Sequence, residues 1–544
     1  MRTSGVRMDH KVLLGDEAVA LAAIHAGISA AYAYPGTPST EILEYIQRHA
    51  CPELVPHAAW SANEKTAYEQ ALGVSLAGRR VLVSMKHVGL NVAADPFVNS
   101  ALVAINGGLV LAVADDPGMH SSQNEQDSRL FADFARIICL EPCDQQEAYD
   151  MTRDAFALSE RFGIPIMIRL VTRLAHSRAA VRVPAHTPER PPAKTLDTRG
   201  WILLPAMARR RWRSLLERQD AFRAYTETNY NTLELADADL GIVTAGVGRN
   251  YFLENRDDLG IEPSHLHIGA YPIPMQMVRE LVAHVRRHVL VLEDGYPYVE
   301  RAIRGLLTSN IEVLGRETAH LPPDGELTPD SVRVALGLQP QKGVAPPIPV
   351  PERPPQFCAG CPHTDAFRAL QTALEGLPQG VVTSDIGCYT LGALPPLQAI
   401  DTCVCMGASI GMAKGASDAG LRPAVAAIGD STFLHSGIPP LIDAIAADTD
   451  MTLLILDNEV VAMTGGQPAL LPSSRLRPLL LGLGVAEAHC HVLPAHPHHH
   501  DANATVIRRE IEHHGLSVIV AVRECVEAMR VRKAAAKRLE GAPA

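Results

Sequence analysis

AAIGDSTFLHSGIPPLIDAI (426–445) and, close behind it, TLLILDNEVVAMTGG (452–466) decide the fold class. Each opens as a short apolar run that reads as a strand, and each strand ends in a polar pair, Gly429-Asp430 and Asp457-Asn458. A helical segment over roughly 437–447 then follows the first strand, with N-terminal amides that can face an anion. In an α/β sheet such strand ends form the binding edge. Asp430 offers a carboxylate and Asn458 a side-chain carbonyl, hard oxygen ligands suited to Mg2+ beside phosphate. Either pair alone reads as turn and capping residues, which Gly, Asp and Asn supply in many places. The combination, with 26 residues between Ser431 and Asn458, points to a site.

Outward from this pair, the rest of the chain repeats the same alternation. VLVSM (81–85), GLVLAVA (108–114) and IPIMIRL (164–170) are β-branched or apolar runs separated by helix-like segments, the pattern of parallel sheets covered by helices. At 544 residues one core is too few. The reading is a multidomain α/β protein with regions at 1–182, 236–340 and 357–535, a linker and helical segment at 183–235, a proline-rich linker at 341–356 and a tail at 536–544.

Composition is that of a globular protein, 47% apolar and 20% charged, and the net charge of −11 without a basic block argues against nucleic acid. RRRWR (209–213) reads as a solvated helix face, and HPHHH (496–500) as a mobile surface loop. Glu293 and Asp294 of LEDGYPYVE read as turn caps, with contact to a partner as the alternative. MRTSGVRMDHK is not a secretory opening and no apolar run is long enough to span a bilayer, so a cytoplasmic protein is expected.

Ten cysteines in so long a chain do not look like a disulfide framework, yet five lie between 358 and 405. Cys358-Ala-Gly-Cys361 places two thiolates on one loop, a spacing that zinc and iron–sulfur sites share, and it is short of the four ligands either needs. Buried free thiols are the plain alternative. Glu64, opening the amphipathic SANEKTAYEQALG (61–73), reads by itself as a cap that compensates the helix dipole.

The Gly-Asp-Ser…Asn spacing resembles the thiamine-diphosphate motif, usually Gly-Asp-Gly followed by Asn, with Ser431 as a departure at the third place. YAYPGTPSTEI, SMKHVGLNVAADP, ADDPGMHSSQNEQDSR, CAGCPHTDAF, SDIGCYTLG, DTCVCMGASIGMAKG, GDSTFLHSG and LDNEVVAMTGGQP extend that likeness over about 11–530. The chain resembles the 2-oxoacid:ferredoxin oxidoreductases, and within them the indolepyruvate ferredoxin oxidoreductase α subunits. That resemblance implies thiamine diphosphate contacted by Gly429, Asp430, Ser431, Asn458, Gly407 and Cys388, and Mg2+ held by Asp430, Asn458 and the Val460 carbonyl. It implies Glu64 as the acid that activates the aminopyrimidine, Thr37 as a contact to the substrate, and Lys86 and His87 as active-site polar groups. His120 and Asn124 fall in the same motifs, with roles left open. It also implies a 4Fe–4S cluster on Cys358, Cys361, Cys388 and Cys525, with Cys403 and Cys405 as rival ligands.

The activity so implied is oxidative decarboxylation of an aryl 2-oxo acid, such as indolepyruvate or phenylpyruvate, to an acyl-CoA. Coenzyme A is the cosubstrate, and electrons leave one at a time through the cluster to ferredoxin or another acceptor. A smaller β subunit and a dimer of this chain are expected. Family α subunits continue into a cysteine-rich ferredoxin-like tail, whereas this sequence ends in VEAMRVRKAAAKRLEGAPA, so either further clusters lie on a partner or electrons pass directly from the inner cluster to an external acceptor. The alternative is a non-oxidative thiamine-dependent decarboxylase or carboligase with bystander cysteines. A non-catalytic cofactor-binding subunit fits less well, because both halves of the site are present.

Overall fold

The computed structural model describes residues 8–540, apart from 52–53, 185–190, 192, 195–199, 306–310, 342, 344–347 and 349–355. The chain divides into two compact units, Met1–Ala345 and Pro346–Ala544. Parallel sheets covered by helices dominate both, as the alternation of apolar runs and helical segments predicts.

The first unit contains two larger sheets. One has seven strands in the order Ala270–Tyr271, Cys139–Leu140, Ile166–Val171, Leu109–Asp115, Val81–Lys86, Ala30–Ala33 and His57–Trp60. All are parallel except the two-residue edge strand Ala270–Tyr271. The other has five strands, with Ala238–Ala245 between Val285–Leu292 and Ser264–Ile268. Central strands such as Leu109–Asp115 are buried at every position, because helices cover both faces.

One apolar core runs through both sheets, and a buried ionic network joins them. Arg169 donates from Nε to Asp115 Oδ2 (2.7 Å) and from Nη2 to the Asp294 carbonyl (3.0 Å), and it pairs with Glu141. Arg129 binds Asp127 (Nε–Oδ1 2.9 Å) and Glu293 (Nη1–Oε2 2.9 Å). Tyr271 donates to Glu141 Oε2 at 2.6 Å. Glu293 also accepts the Val299 and Glu300 amides at 2.9 and 3.0 Å, so it caps a helix as its sequence context predicts and pairs with Arg129 as well. Two arginines this deeply buried are tolerable only because each is paired with carboxylates and hydrogen-bonded. Arg169→Met would leave Asp115 and Glu141 buried without their main partner. The first unit is then expected to lose about 3–5 kcal/mol, read as an earlier transition in urea.

The helix Pro205–Thr226 carries RRRWR and buries only Leu215, Gln219, Phe222 and Thr226, so the arginines form the solvated face that composition predicts. Among the described residues no helix is long and apolar enough to cross a membrane.

The second unit is built on five parallel strands in the order Val381–Ser384, Ala424–Gly429, Met451–Asp457, Leu516–Val522 and Cys490–Pro494. Successive residues of Ala424–Gly429 serve opposite faces, as the two-residue period of a strand requires. Val425 and Ala427 join a core with Phe367, Leu370 and Ile507, while Ala426 and Ile428 join one with Ile410, Phe433 and Leu441. Of HPHHH, Pro497–His499 form a 3-10 turn and His500 starts the helix His500–Glu512, so this stretch is regular structure rather than a mobile loop.

Candidate active site

Ala424–Gly429 and Met451–Asp457 are adjacent and parallel, with Gly429 opposite Leu456, so both polar pairs emerge at one carboxyl edge. Helical structure begins at Asp430 itself, earlier than the segment read from sequence. Asp430–Thr432 lead into a π-helical turn, Phe433–Gly437, and then the helix Ile438–Ala446. Such π-turns collect at functional sites.

Gly429 admits the ring of Tyr389, because a Cβ there would lie 2.6 Å from Tyr389 Cε1. Tyr389 in turn donates to Asp385, which accepts Ser409 Oγ at 2.6 Å. Burial raises the Asp385 carboxyl to about 6, against the pull of the Ser409 and Tyr389 hydrogen bonds. Gly407 caps the helix Ala408–Asp418 at φ +84°, a left-handed conformation that also sets its α-carbon against Ser436.

Three buried oxygens at this edge, Asp430 Oδ2, Ser431 Oγ and Asp457 Oδ2, have no hydrogen-bond partner. Burial, then the neighbouring Asp457, pushes Asp430 up to about 8. Orphaned buried oxygens are costly, and two carboxylates this close suit a shared cation better than they suit each other, while the Ser431 hydroxyl can donate to an anion's oxygen. These residues therefore fit Mg2+ and a diphosphate. Asn458 Oδ1 faces the Val460 amide at 3.3 Å, and its Nδ2 lies 3.2 Å from His363 Nε2.

The cysteines of interest gather beside this edge. Cys361 is the N-cap of the helix Pro362–Leu374, and its amide donates to the Cys358 carbonyl at 3.0 Å. Cys525 donates its amide to the Asn458 carbonyl at 3.1 Å, and Arg523 holds the loop through Asp365 (2.7 Å) and the Gly360 carbonyl (2.6 Å). Burial, then Cys361, Cys525 and Cys358 in that order, push the Cys388 thiol up to about 12. Cys388 is thus close enough to Cys361, Cys525 and Cys358 for their charges to act on it. Cys403 faces the Asp385 carbonyl (3.8 Å), and both it and Cys405 are exposed, as Cys358 is.

In the first unit, Asn63 caps the helix Glu64–Leu76 by accepting the Thr66 amide at 2.8 Å, which places Glu64 at its first position, 5% exposed. Gly89 sets the carboxylate in place, since a Cβ there would lie 2.5 Å from Glu64 Cγ and 2.6 Å from Oε1. Gly89→Ala is expected to push the carboxylate aside and cost about 100-fold in activity, as misplacement of a reacting group by about 1 Å does. The check is steady-state kinetics on a variant of normal melting temperature.

Lys86 donates to the Ser121 carbonyl (2.9 Å) and Oγ (3.2 Å), and Ser121 Oγ donates to the Thr37 carbonyl at 3.2 Å. His87 Nε2 meets Ser122 Oγ at 3.2 Å, and Ser122 donates to Asp116 Oδ2 at 2.6 Å. Burial lowers Lys86 to about 8, against the attraction of Asp116, and lowers His87 to about 4. Thr37, Lys86 and His87 thus share one polar patch through Ser121, Ser122 and Asp116. His120 instead faces Glu326 at 3.6 Å, and Asn124 accepts from Gln126 at 3.1 Å. Asp116, Asp385, His363 and Gly89 lie inside the motifs ADDPGMHSSQNEQDSR, SDIGCYTLG, CAGCPHTDAF and SMKHVGLNVAADP, and their residue types alone give no sign of a role.

A Gly-Asp-Ser…Asn edge on a parallel sheet, with a glutamate opening a helix in a second α/β unit, defines a thiamine-diphosphate enzyme. The family model of the thiamine-diphosphate-binding domain of pyruvate flavodoxin/ferredoxin oxidoreductase matches residues 21–207. That of the C-terminal TPP-binding domain of thiamine pyrophosphate enzymes matches 385–521. Indolepyruvate oxidoreductase subunit IorA of Archaeoglobus fulgidus is 37% identical over 550 residues, spanning 94% of this chain and 86% of its own. IorA of Pyrococcus abyssi is 36% identical over 560 residues, 94% and 85% of the two chains. Ketoisovalerate oxidoreductase subunit VorB of Methanothermobacter marburgensis is 24% identical and covers 50% of this chain and 83% of its own. Among solved structures, a 2-oxoglutarate:ferredoxin oxidoreductase from Magnetococcus marinus aligns with a TM-score of 0.47 at 18% identity, over 56% of this chain and 62% of its own. The chain belongs to the IorA family of indolepyruvate oxidoreductase subunits. It is a thiamine-diphosphate-dependent 2-oxoacid:acceptor oxidoreductase, an enzyme of oxidative decarboxylation coupled to electron transfer.

Proposed function

We propose that this chain oxidatively decarboxylates an aryl 2-oxo acid of the indolepyruvate or phenylpyruvate kind to its acyl-CoA, together with a smaller β subunit and an external electron acceptor. The observation that carries the oxidative reading is the attachment of the cysteine set to the metal edge: Cys525 binds the Asn458 backbone and His363, two residues past Cys361, binds its side chain. A one-electron centre on Cys358, Cys361, Cys388 and Cys525 would then sit beside the decarboxylation site.

Bound thiamine diphosphate supplies the carbanion-stabilising chemistry that decarboxylation of a 2-oxo acid requires. Asp430 and Asn458, with the Val460 carbonyl, would hold the Mg2+, and Ser431 would donate to the diphosphate. Glu64 is the acid facing the aminopyrimidine, where it holds or releases one proton. Thr37 orients the substrate, and Lys86, with its depressed affinity for a proton, offers a cation to the substrate carboxylate. Cys358, Cys361, Cys388 and Cys525 would hold a 4Fe–4S cluster, which would supply one-electron transfer toward the external acceptor.

Anaerobic purification followed by iron and sulfide analysis tests this. About four irons per chain, with a visible spectrum bleached by 2-oxo acid, is the expected result. Absence of iron, with aldehyde or acyloin as product, would make this a non-oxidative decarboxylase or carboligase. Asp430→Asn is expected to weaken Mg2+-dependent binding of thiamine diphosphate by at least about 100-fold while leaving iron content unchanged.

A further inference from the structure

We infer that His363 is a positioning residue for the proposed metal site, turning the Asn458 amide so that its oxygen is the atom offered to the cation. The inference rests on the reading of Asn458 as a Mg2+ ligand. His363 is 3% exposed and Asn458 5% exposed, and Nε2 and Nδ2 are 3.2 Å apart. An amide nitrogen carries only hydrogens to share, so the imidazole must present a lone pair at Nε2. With Nδ2 committed to the imidazole, Oδ1 is the amide atom turned away from it, facing the Val460 amide at 3.3 Å. The opposite flip would set an N–H donor where a cation needs an oxygen, and two N–H groups cannot share that site.

The imidazole has little freedom to do otherwise. Its ring lies edge-on to Tyr389 at 6.0 Å between centroids and tilted against Phe357 at 6.4 Å. Tyr389 is itself anchored to Asp385 and packed on Gly429. Among the described residues Asn458 is the hydrogen-bond partner seen for this ring, and filling the space between two aromatic rings would not by itself call for a polar side chain. The Asn458 backbone is held independently, through its carbonyl and the Cys525 amide at 3.1 Å. Side chain and main chain of one ligand are therefore both set by segments that carry cysteines, one through His363 and the other through the Cys525 amide. Outer partners of this kind fix ligand orientation and contribute to metal affinity.

The test is a calorimetric Mg2+ titration of the full chain at saturating thiamine diphosphate, with iron per chain measured on the same samples. His363→Phe keeps the packing and removes the acceptor. It is expected to raise the Mg2+ dissociation constant about 10–100-fold with iron unchanged. His363→Gln, whose side-chain oxygen can accept the same Asn458 N–H, is expected to recover most of that loss. Wild-type affinity in His363→Phe would overturn the proposal. So would a His363→Gln protein as weak as His363→Phe while both keep their iron and melting temperature. A wild-type chain that binds no Mg2+ with thiamine diphosphate would overturn the metal reading, and the positioning role with it.

Discussion

Glu64→Gln is expected to lower turnover about 10²- to 10⁴-fold, the usual range for losing a group that moves a proton in the transition state. The substitution is nearly isosteric, so the helix start capped by Asn63 and the packing on Gly89 survive it. The amide can still form a hydrogen bond, but it cannot hold or give up the proton. Affinity for thiamine diphosphate should change little, because Asp430, Ser431 and Asn458, not Glu64, are the residues proposed to hold its diphosphate and metal. The decisive comparison is single-turnover decarboxylation against calorimetric binding of the cofactor. Loss of both together would mean that Glu64 serves binding, and loss of neither would remove it from the mechanism.

Cys388→Ser should separate decarboxylation from oxidation. A serine hydroxyl is a poor substitute for a thiolate on iron, and Cys388 stands against Cys361, Cys525 and Cys358. Iron is expected to be lost and acceptor reduction to fall more than about 100-fold, beyond what loss of an outer partner costs. Cys388 is only half-buried, so the second unit should keep its melting temperature. With the electron path gone, carbon dioxide release should continue slowly and the product should shift from acyl-CoA to aldehyde. Cys403→Ser is the control, since that thiol faces the Asp385 carbonyl at 3.8 Å and lies outside the set of four. Iron lost from Cys403→Ser and kept in Cys388→Ser would reassign the ligands.

Much of this was legible in the linear chain because the chemistry is carried by short segments. Asp430 and Asn458 end neighbouring strands, and a strand followed by Gly-Asp or Asp-Asn announces its own carboxyl edge. Glu64 follows its own cap. Cys358 and Cys361 share one turn. The helix read over roughly 437–447 is there as Ile438–Ala446, while the helical turn before it gives no linear sign, because Asp430, Ser431 and Thr432 look like turn residues. The fold uses them as a first helical turn and absorbs the mismatch in the π-turn at Phe433–Gly437.

Sequence by itself determined the class: alternating buried strands and helices, the thiamine-type spacing, and a cysteine pattern with the resemblance that gave it meaning. The tertiary structure alone shows that Cys388 lies near Cys361, Cys525 and Cys358, that His363 faces Asn458, that Gly89 makes room for Glu64, and that Arg129 and Arg169 bind two sheets into one unit. The physical reason is range. Strand ends, caps and turns are fixed by interactions a few residues apart and leave a periodic trace. Close approach, charge pairing and amide orientation depend on residues about a hundred positions away, and one glycine, histidine or arginine in the linear chain gives no sign of what the fold will set against it.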